Sequence, residues 1–410
     1  MSEELDDPTS DLHEQQFRSR HTPLQRVVLA VNILVVVACV ATATALLYGK
    51  RQLDGTLAAP AVNLNTTVPT TTTSIASTSG DTVPATFPEV DAGATNFLIT
   101  GSDANACVDP DSPWAGAADP SRDAIGSRSD TIMVLRLDPE TGRAAILSFP
   151  RDLWVDIPGK ADNRINSVAK PGDSNLLVQT IYDNFGVTID HYLQIDFCAF
   201  KLIVDAVGGV TVPFQYRVVD ANVGLDVEAG CHTFSGDEAL AYNRSRHLKW
   251  IDENGVKRED RGADLARISR QQDFLRRTLM AALEKGVFDP NIARALIESL
   301  QKYVVRDASL LSIDSILAFA GVLKNLDPSK INTYQVDAVN IVVSGNAVLD
   351  PVTSSDNMKA ILAIFRGEAP LVDSPDESST TVAGTATATS VSGPEENVKG
   401  DIVPNEDIVC

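Results

Sequence analysis

Arginines and aspartates recur at the ends of apolar runs. Arg128 and Asp130 precede TIMVLRL, Arg151 and Asp152 follow AAILSF, and Asp103 follows NFLIT. Arg244 and Arg246 stand in NRSRH, while Asp264, Arg267 and Gln271 stand in DLARISRQQ. Guanidinium groups match phosphate oxygens in pairs, and one or two carboxylates can hold Mg²⁺ together with phosphate oxygens. The set points to a phosphate or pyrophosphate pocket with Asp103 and Asp130 as metal ligands. The plainer alternative makes each arginine a surface or ion-paired residue and Arg151-Asp152 a turn or cap. The five histidines include no triad-like context, and the five cysteines show no CxxC or zinc-ligand spacing.

The elements that would position these residues follow from pattern. NFLIT (96–100) reads as a strand, and TIMVLRL (131–137) and AAILSF (144–149) form a hairpin across the turn DPETG. In a hairpin the start of one strand lies beside the end of the next, so Asp130 and Arg151 become neighbours. The first strand can bring Asp103 to the same edge. Helices are predicted over 175–186, 197–209, 236–246, 264–285, 290–301, 310–326 and 356–365, and further strands over 191–195, 210–214 and 331–336. Alternating strands and helices imply a three-layer α/β/α fold, and the hairpin makes the sheet mixed.

On the helix from Asp264, 100° per residue puts Asp264, Arg267 and Gln271 within an arc of about 60°, beside Ile268, Leu275 and Leu279. Arg270 and Arg277 fall on the far side and are expected to be solvated. Arg244 and Arg246, two apart, would face roughly 160° away from each other on a helix. Both can meet one ligand only if the backbone leaves helical geometry between them.

Composition divides the 410-residue chain. Residues 1–26 are polar, and Val27–Tyr48 carries no charge. Its 22 residues rise roughly 33 Å, enough to cross a bilayer core. An uncleaved membrane anchor is favoured over a signal peptide, because the run is long and begins after a polar tail. Residues 49–94 and 373–410 are rich in Thr, Ala, Pro and Ser and are expected to be disordered. One body, 95–372, hangs between them. The net charge of −21 and a short tail without a helix-turn-helix pattern argue against nucleic acid as partner. Cys198 and Cys231 are a candidate disulfide, with separate buried thiols as the alternative.

Residues 95–366 resemble the LytR–CpsA–Psr family of envelope proteins. The matching elements are NFLITGSD, RSDTIMVLRLDPETGRAAILSFPRDLWVDIPG, NRINS, DFCAFKLIVDAVGGVTV, GDEALAYNRSRH and DLARISRQQ, in the family's order. The resemblance implies an α/β/α transferase that moves a glycopolymer from a polyprenyl-pyrophosphate carrier to peptidoglycan through a phosphodiester bond. It implies a cytoplasmic N-terminus, a single span in the cell membrane and an extracytoplasmic catalytic domain. Asp103 and Asp130 would bind Mg²⁺ (or Mn²⁺), and Arg128, Arg151, Arg164, Arg244, Arg246, Arg267 and Gln271 would hold the pyrophosphate. Asp152 and Asp264 would support them, with Asp130 or Asp152 a candidate proton acceptor. The Thr/Ala-rich flanks look actinobacterial, which suggests an arabinogalactan-like polymer, with a teichoic-acid-like one as alternative. Arg164 stands where the family often has lysine, position 105 lacks a frequent arginine, and HLKWIDENGVKREDRGA (247–263) is an insert. A pyrophosphatase or a non-catalytic envelope regulator is the competing reading.

Overall fold

Seven strands make the central sheet. They are β1 (Ala61–Val62), β2 (Thr95–Ser102), β3 (Ser129–Asp138), β4 (Arg143–Ser148), β5 (His191–Asp196), β6 (Val304–Asp307) and β7 (Ile331–Gln335). The computed structural model describes residues 61–64, 93–103, 107–117, 129–170, 172–260, 262–284, 302–311, 326–327, 330–372, 393–397, 408 and 410. The spatial order is β1-β6-β5-β2-β3-β4-β7. Pairs β1/β6, β5/β2 and β4/β7 are parallel, and the other three are antiparallel. The sheet is therefore mixed, as the early hairpin required. The α-helices among the described residues are α1 (Ser174–Phe185), α2 (Phe197–Ala206), α3 (Gly236–Arg244), α4 (Ala263–Glu284) and α5 (Asp356–Phe365).

Strand alternation sends successive side chains to opposite faces. Leu98, Ile132, Val134 and Leu147 pack with Leu177, Ile181 and Phe185 of α1 and with Ile361, Leu362 and Phe365 of α5. Phe97, Met133, Leu135 and Ile146 pack on the opposite face against Leu275, Leu279 and Leu283 of α4. Helix α1 stops at Gly186, whose φ of 70° lies in the left-handed region that glycine enters without strain.

Several expectations are corrected. Part of the expected linker is a strand, because Ala61–Val62 pairs with β6 and the Asn175 side chain donates to Asn63 O at 2.9 Å. Part of the expected disordered tail is docked on the edge strand β7. There the Thr333 and Gln335 amides donate to the side chains of Glu396 and Asn397 at 2.6 and 2.8 Å. These side chains occupy ladder groups that an edge strand would otherwise leave open. The predicted span 27–48, the tail 1–26 and the predicted helix 290–301 lie outside the described residues, and so does almost all of 310–326. No helix among the described residues is long and apolar enough to cross a membrane.

The cysteine pairing also differs from expectation. Cys198 joins Cys107 across 91 residues, and Cys231 joins Cys410 across 179, so Cys198–Cys231 does not form. The body sits in a fold that brings the last residue back to the strand carrying Cys231, which spacing alone does not show. A closure of about 90 residues stabilises on the order of 4–5 kcal/mol in the chain-entropy model. Cys198→Ser is therefore expected to lower the urea midpoint clearly under oxidising conditions and to have little further effect in reductant. Equal midpoints for the variant and the oxidised parent would show that this link carries no stability.

Candidate functional site

The β3/β4 register pairs Met133 with Ser148 and runs on to Phe149, whose amide donates to Ile132 O at 2.9 Å, so Arg151 follows the end of β4 on the side where β3 begins. On the other side of β3, Gly101 pairs with Thr131 and Ser102 with Ser129. Asp130 is thus the extra residue of a β-bulge, a device that frees one position from the ladder and often sits beside functional sites. Asp103 follows directly at the end of β2. Arg128 lies outside the described residues.

Around this edge runs a chain of ion pairs. Arg164 Nε lies 3.2 Å from Asp152, and Arg151 Nε lies 3.5 Å from Asp152 and 3.3 Å from Asp264. Asp264 also receives Arg267 at 3.0 Å and Arg246 at 3.8 Å. In these pairs four guanidinium groups from four chain segments meet two carboxylates, and Asp264 is the hub, holding three of the four. Guanidinium groups held together in this way present forked donors of the kind that match phosphate oxygens. Arg164 also donates to Ala347 O at 3.0 Å, which fixes it to the hairpin 338–351 at the rim.

The geometry of the arginine pair in NRSRH follows from the end of α3. The helix closes at Arg244, and Ser245 takes φ −56° and ψ 125°, so the backbone has left helical geometry between the two arginines. Arg244 stacks on the Phe197 ring, 4.5 Å from its centroid, and donates to Ala117 O. On α4, Gln271 accepts from the Thr131 hydroxyl at 3.0 Å and donates to Asn243 O at 3.0 Å. It thereby ties the bulged strand to the end of α3.

Asp103, Thr131, Arg244, Arg267 and Gln271 line one cavity of about 180 Å³. The rest of its wall is mostly apolar, with Ile99, Met133, Phe197, Phe200, Ile203, Phe274 and Leu275, and includes Asp196 and Asn243. The cavity thus combines two guanidinium groups with a largely hydrophobic lining. Of Ile268, Leu275 and Leu279, the apolar residues expected beside Arg267 on α4, Leu275 lines the cavity.

Among the described residues no group of three His, Cys, Asp or Glu side chains could hold a metal. Asp103, directly after β2, is a hard oxygen donor of the kind Mg²⁺ takes, one or two carboxylates together with phosphate oxygens.

The structure joins Arg151, Arg164, Arg246 and Arg267 through Asp152 and Asp264, and places Arg244, Gln271 and Asp103 in the adjoining cavity. Arg270 overturns an expectation: it is 2 % exposed rather than solvated. Arg277 pairs with Asp273 at 2.8 Å and is also part-buried. Sequence reasoning missed Phe197 and Thr131 as site residues. Phe197 opens the quoted element DFCAFKLIVDAVGG directly after a strand, which was the available signal.

The sequence model of the LytR_cpsA_psr family matches residues 61–363. The chain belongs to that family. Within LytR_cpsA_psr, the chain is similar to the probable cell wall biosynthesis protein LcpB of Corynebacterium glutamicum, 35% identical over 213 residues. That match covers 50% of this chain and 46% of LcpB. It is similar also to the polyisoprenyl-teichoic acid–peptidoglycan teichoic acid transferase TagU of Oceanobacillus iheyensis. There the identity is 31% over 222 residues, covering 52% of this chain and 64% of TagU. The match thus spans less than two thirds of the length of these curated relatives. A solved LytR-Csp2A-Psr enzyme from Actinomyces oris shares the fold, with a TM-score of 0.51 at 22% identity, covering 69% of this chain and 95% of that one.

Proposed function

We propose that this protein is a phosphotransferase that ligates a cell-wall glycopolymer, carried on polyprenyl pyrophosphate, to peptidoglycan through a phosphodiester bond. The observation that carries the reading is the convergence of Arg151, Arg164, Arg246 and Arg267 on Asp152 and Asp264, with Arg267 also lining, beside Arg244, a cavity whose wall is mostly apolar. A pyrophosphate bearing an isoprenoid tail has the same two-part character: an anion to meet guanidinium groups and a hydrocarbon to fill the interior. The similarity to TagU, a polyisoprenyl-teichoic acid–peptidoglycan teichoic acid transferase, supports the same chemistry here.

In this mechanism the arginines bind and orient the diphosphate and stabilise charge developing as its anhydride bond breaks. A sugar hydroxyl of peptidoglycan attacks the polymer-linked phosphorus, and the lipid phosphate departs with the bonding electrons. The hydroxyl proton passes to a carboxylate at this edge, Asp130 or Asp152. Asp103 and Asp130 would hold Mg²⁺ (or Mn²⁺), which neutralises negative charge on the phosphate oxygens when bound. Gln271 keeps α4 against β3, so that Arg267 and Asp103 share one cavity. The apolar lining excludes water from the breaking bond. The proposed setting is the outer face of the cell membrane, with the N-terminal segment as single-pass anchor, and the actinobacterial character of the flanks favours an arabinogalactan-like polymer.

The full chain incubated with lipid-linked polymer, Mg²⁺ and peptidoglycan is expected to place polymer on the wall material. Free phosphorylated polymer with no ligated product would mark a pyrophosphatase instead. Neither product would leave the binding of lipid pyrophosphate without catalysis, the regulator reading.

A further inference from the structure

Arg270 follows Arg267 by three residues and precedes Gln271, yet it serves a different structure. A fully buried guanidinium is costly unless anionic or carbonyl partners surround it. Burial draws the Arg270 pKa below its ordinary value, while Tyr242, Asp260, Asp220 and Asp264 push it back up. Its Nη1 donates to Asp260 Oδ2 at 3.2 Å and its Nη2 to Ser245 O at 2.5 Å.

Both partners are themselves anchored. The Ser245 hydroxyl donates to Asp220 Oδ2 at 2.6 Å, and the same oxygen accepts from the His247 amide at 3.3 Å. The Asp260 amide donates to Leu248 O at 3.2 Å, closing the stem of the hairpin formed by Lys249–Ile251 and Lys257–Glu259. Gln271, the next residue, holds Asn243 O at 3.0 Å. Consecutive residues of α4 therefore grip the carbonyls on either side of Arg244, and Arg246 lies between two residues tied to Asp220. Were α3 to continue through Ser245, Arg246 would swing about 160° from Arg244.

We propose that Arg270 is a positioning residue for the arginine cluster, holding the extended turn at Ser245 so that Arg246 reaches Asp264 while Arg244 faces the cavity. The same side chain locks the inserted hairpin to this turn through Asp260. The insert is thus built onto the site, not appended beside it. This assignment rests on reading the cluster as a pyrophosphate site.

The test is the double variant Arg270→Met/Asp260→Leu in the full chain. It removes both charges of a buried pair with residues of similar volume, a replacement that buried pairs often tolerate. Inorganic pyrophosphate is expected to bind about tenfold more weakly, with that loss shrinking towards nothing in an Arg246→Ala background, because the two changes disable one device. In an Arg164→Ala background the loss should persist. Amide hydrogen exchange at Ser245 and His247 of the ligand-free protein should rise at least about tenfold, a local opening that leaves the rest of α3 protected. Additive losses with Arg246→Ala, or unchanged exchange at both amides, overturn the assignment. A parent protein that fails to bind pyrophosphate overturns the functional reading instead, and the exchange measurement still decides the positioning role. Should the double variant fail to fold, Arg270→Lys keeps the charge but cannot reach both partners, and the same cycle and exchange readout apply.

Discussion

Arg151→Ala is expected to cut polymer transfer by about a thousandfold while leaving the fold intact. Removing one well-placed donor to developing charge typically costs a factor of about 10² to 10³. Arg151 is positioned for more than an average donor, because it bridges Asp152 and Asp264. Its stability contribution is small by comparison. Asp264 keeps Arg267 at 3.0 Å and Asp152 keeps Arg164 at 3.2 Å, so neither carboxylate is orphaned. The carboxylates are also about 30% exposed, a setting in which single ion pairs contribute roughly 0–1 kcal/mol. Arg151→Lys should recover only part of the activity, since an ammonium cannot bind two phosphate oxygens as a planar fork. Assaying the full-length variant for ligated polymer alongside its melting temperature checks both halves. Transfer at the parent rate would refute the role assigned to Arg151.

Arg267→Ala is expected to lose activity and stability together. Arg267 is 1 % exposed and pairs with Asp264 at 3.0 Å. Truncation leaves a cavity and strips the hub carboxylate of its closest cation. Breaking a fully buried pair costs about 3–5 kcal/mol. Because Asp264 is 29% exposed and retains Arg151, the lower end is expected, about 3 kcal/mol. In a domain of this size that shifts the melting temperature by roughly 6–12 °C. Arg151→Ala and Arg267→Ala therefore separate: both abolish transfer, and only the second melts early. A melting curve for Arg267→Ala that superimposes on the parent's would contradict the buried placement of this guanidinium.

The contrast between Arg267 and Arg270 shows where pattern reading stops. The angle along α4 put Arg267 and Gln271 on one cavity wall and Asp264 within reach of Arg267, because helical periodicity is a local rule. The same angle put Arg270 on the far side, which is also true. What covers that side is Asp260 at the end of the inserted hairpin, together with Ser245. No local rule reports that a polar insert folds back over its own helix. The hub role of Asp264 was hidden for the same reason, since its three cations come from 151, 246 and 267. By contrast, the break between Arg244 and Arg246 was legible as a requirement, and Ser245 supplies it through backbone angles that Asp220 and Arg270 secure.

The amino-acid sequence by itself determined the alternating strands and helices, the β3/β4 hairpin, the mixed sheet, and the motifs of the LytR_cpsA_psr family. Those depend on side-chain periodicity and on neighbours a few residues apart. Only the tertiary structure decided that Cys198 pairs with Cys107 and Cys231 with Cys410, that 61–62 and 393–397 dock on opposite edges of the sheet, and that four arginines share two carboxylates. Each of these joins residues far apart along the chain. Their pairing depends on which surfaces the packed core brings within a few ångströms, a result of burial summed over the whole domain.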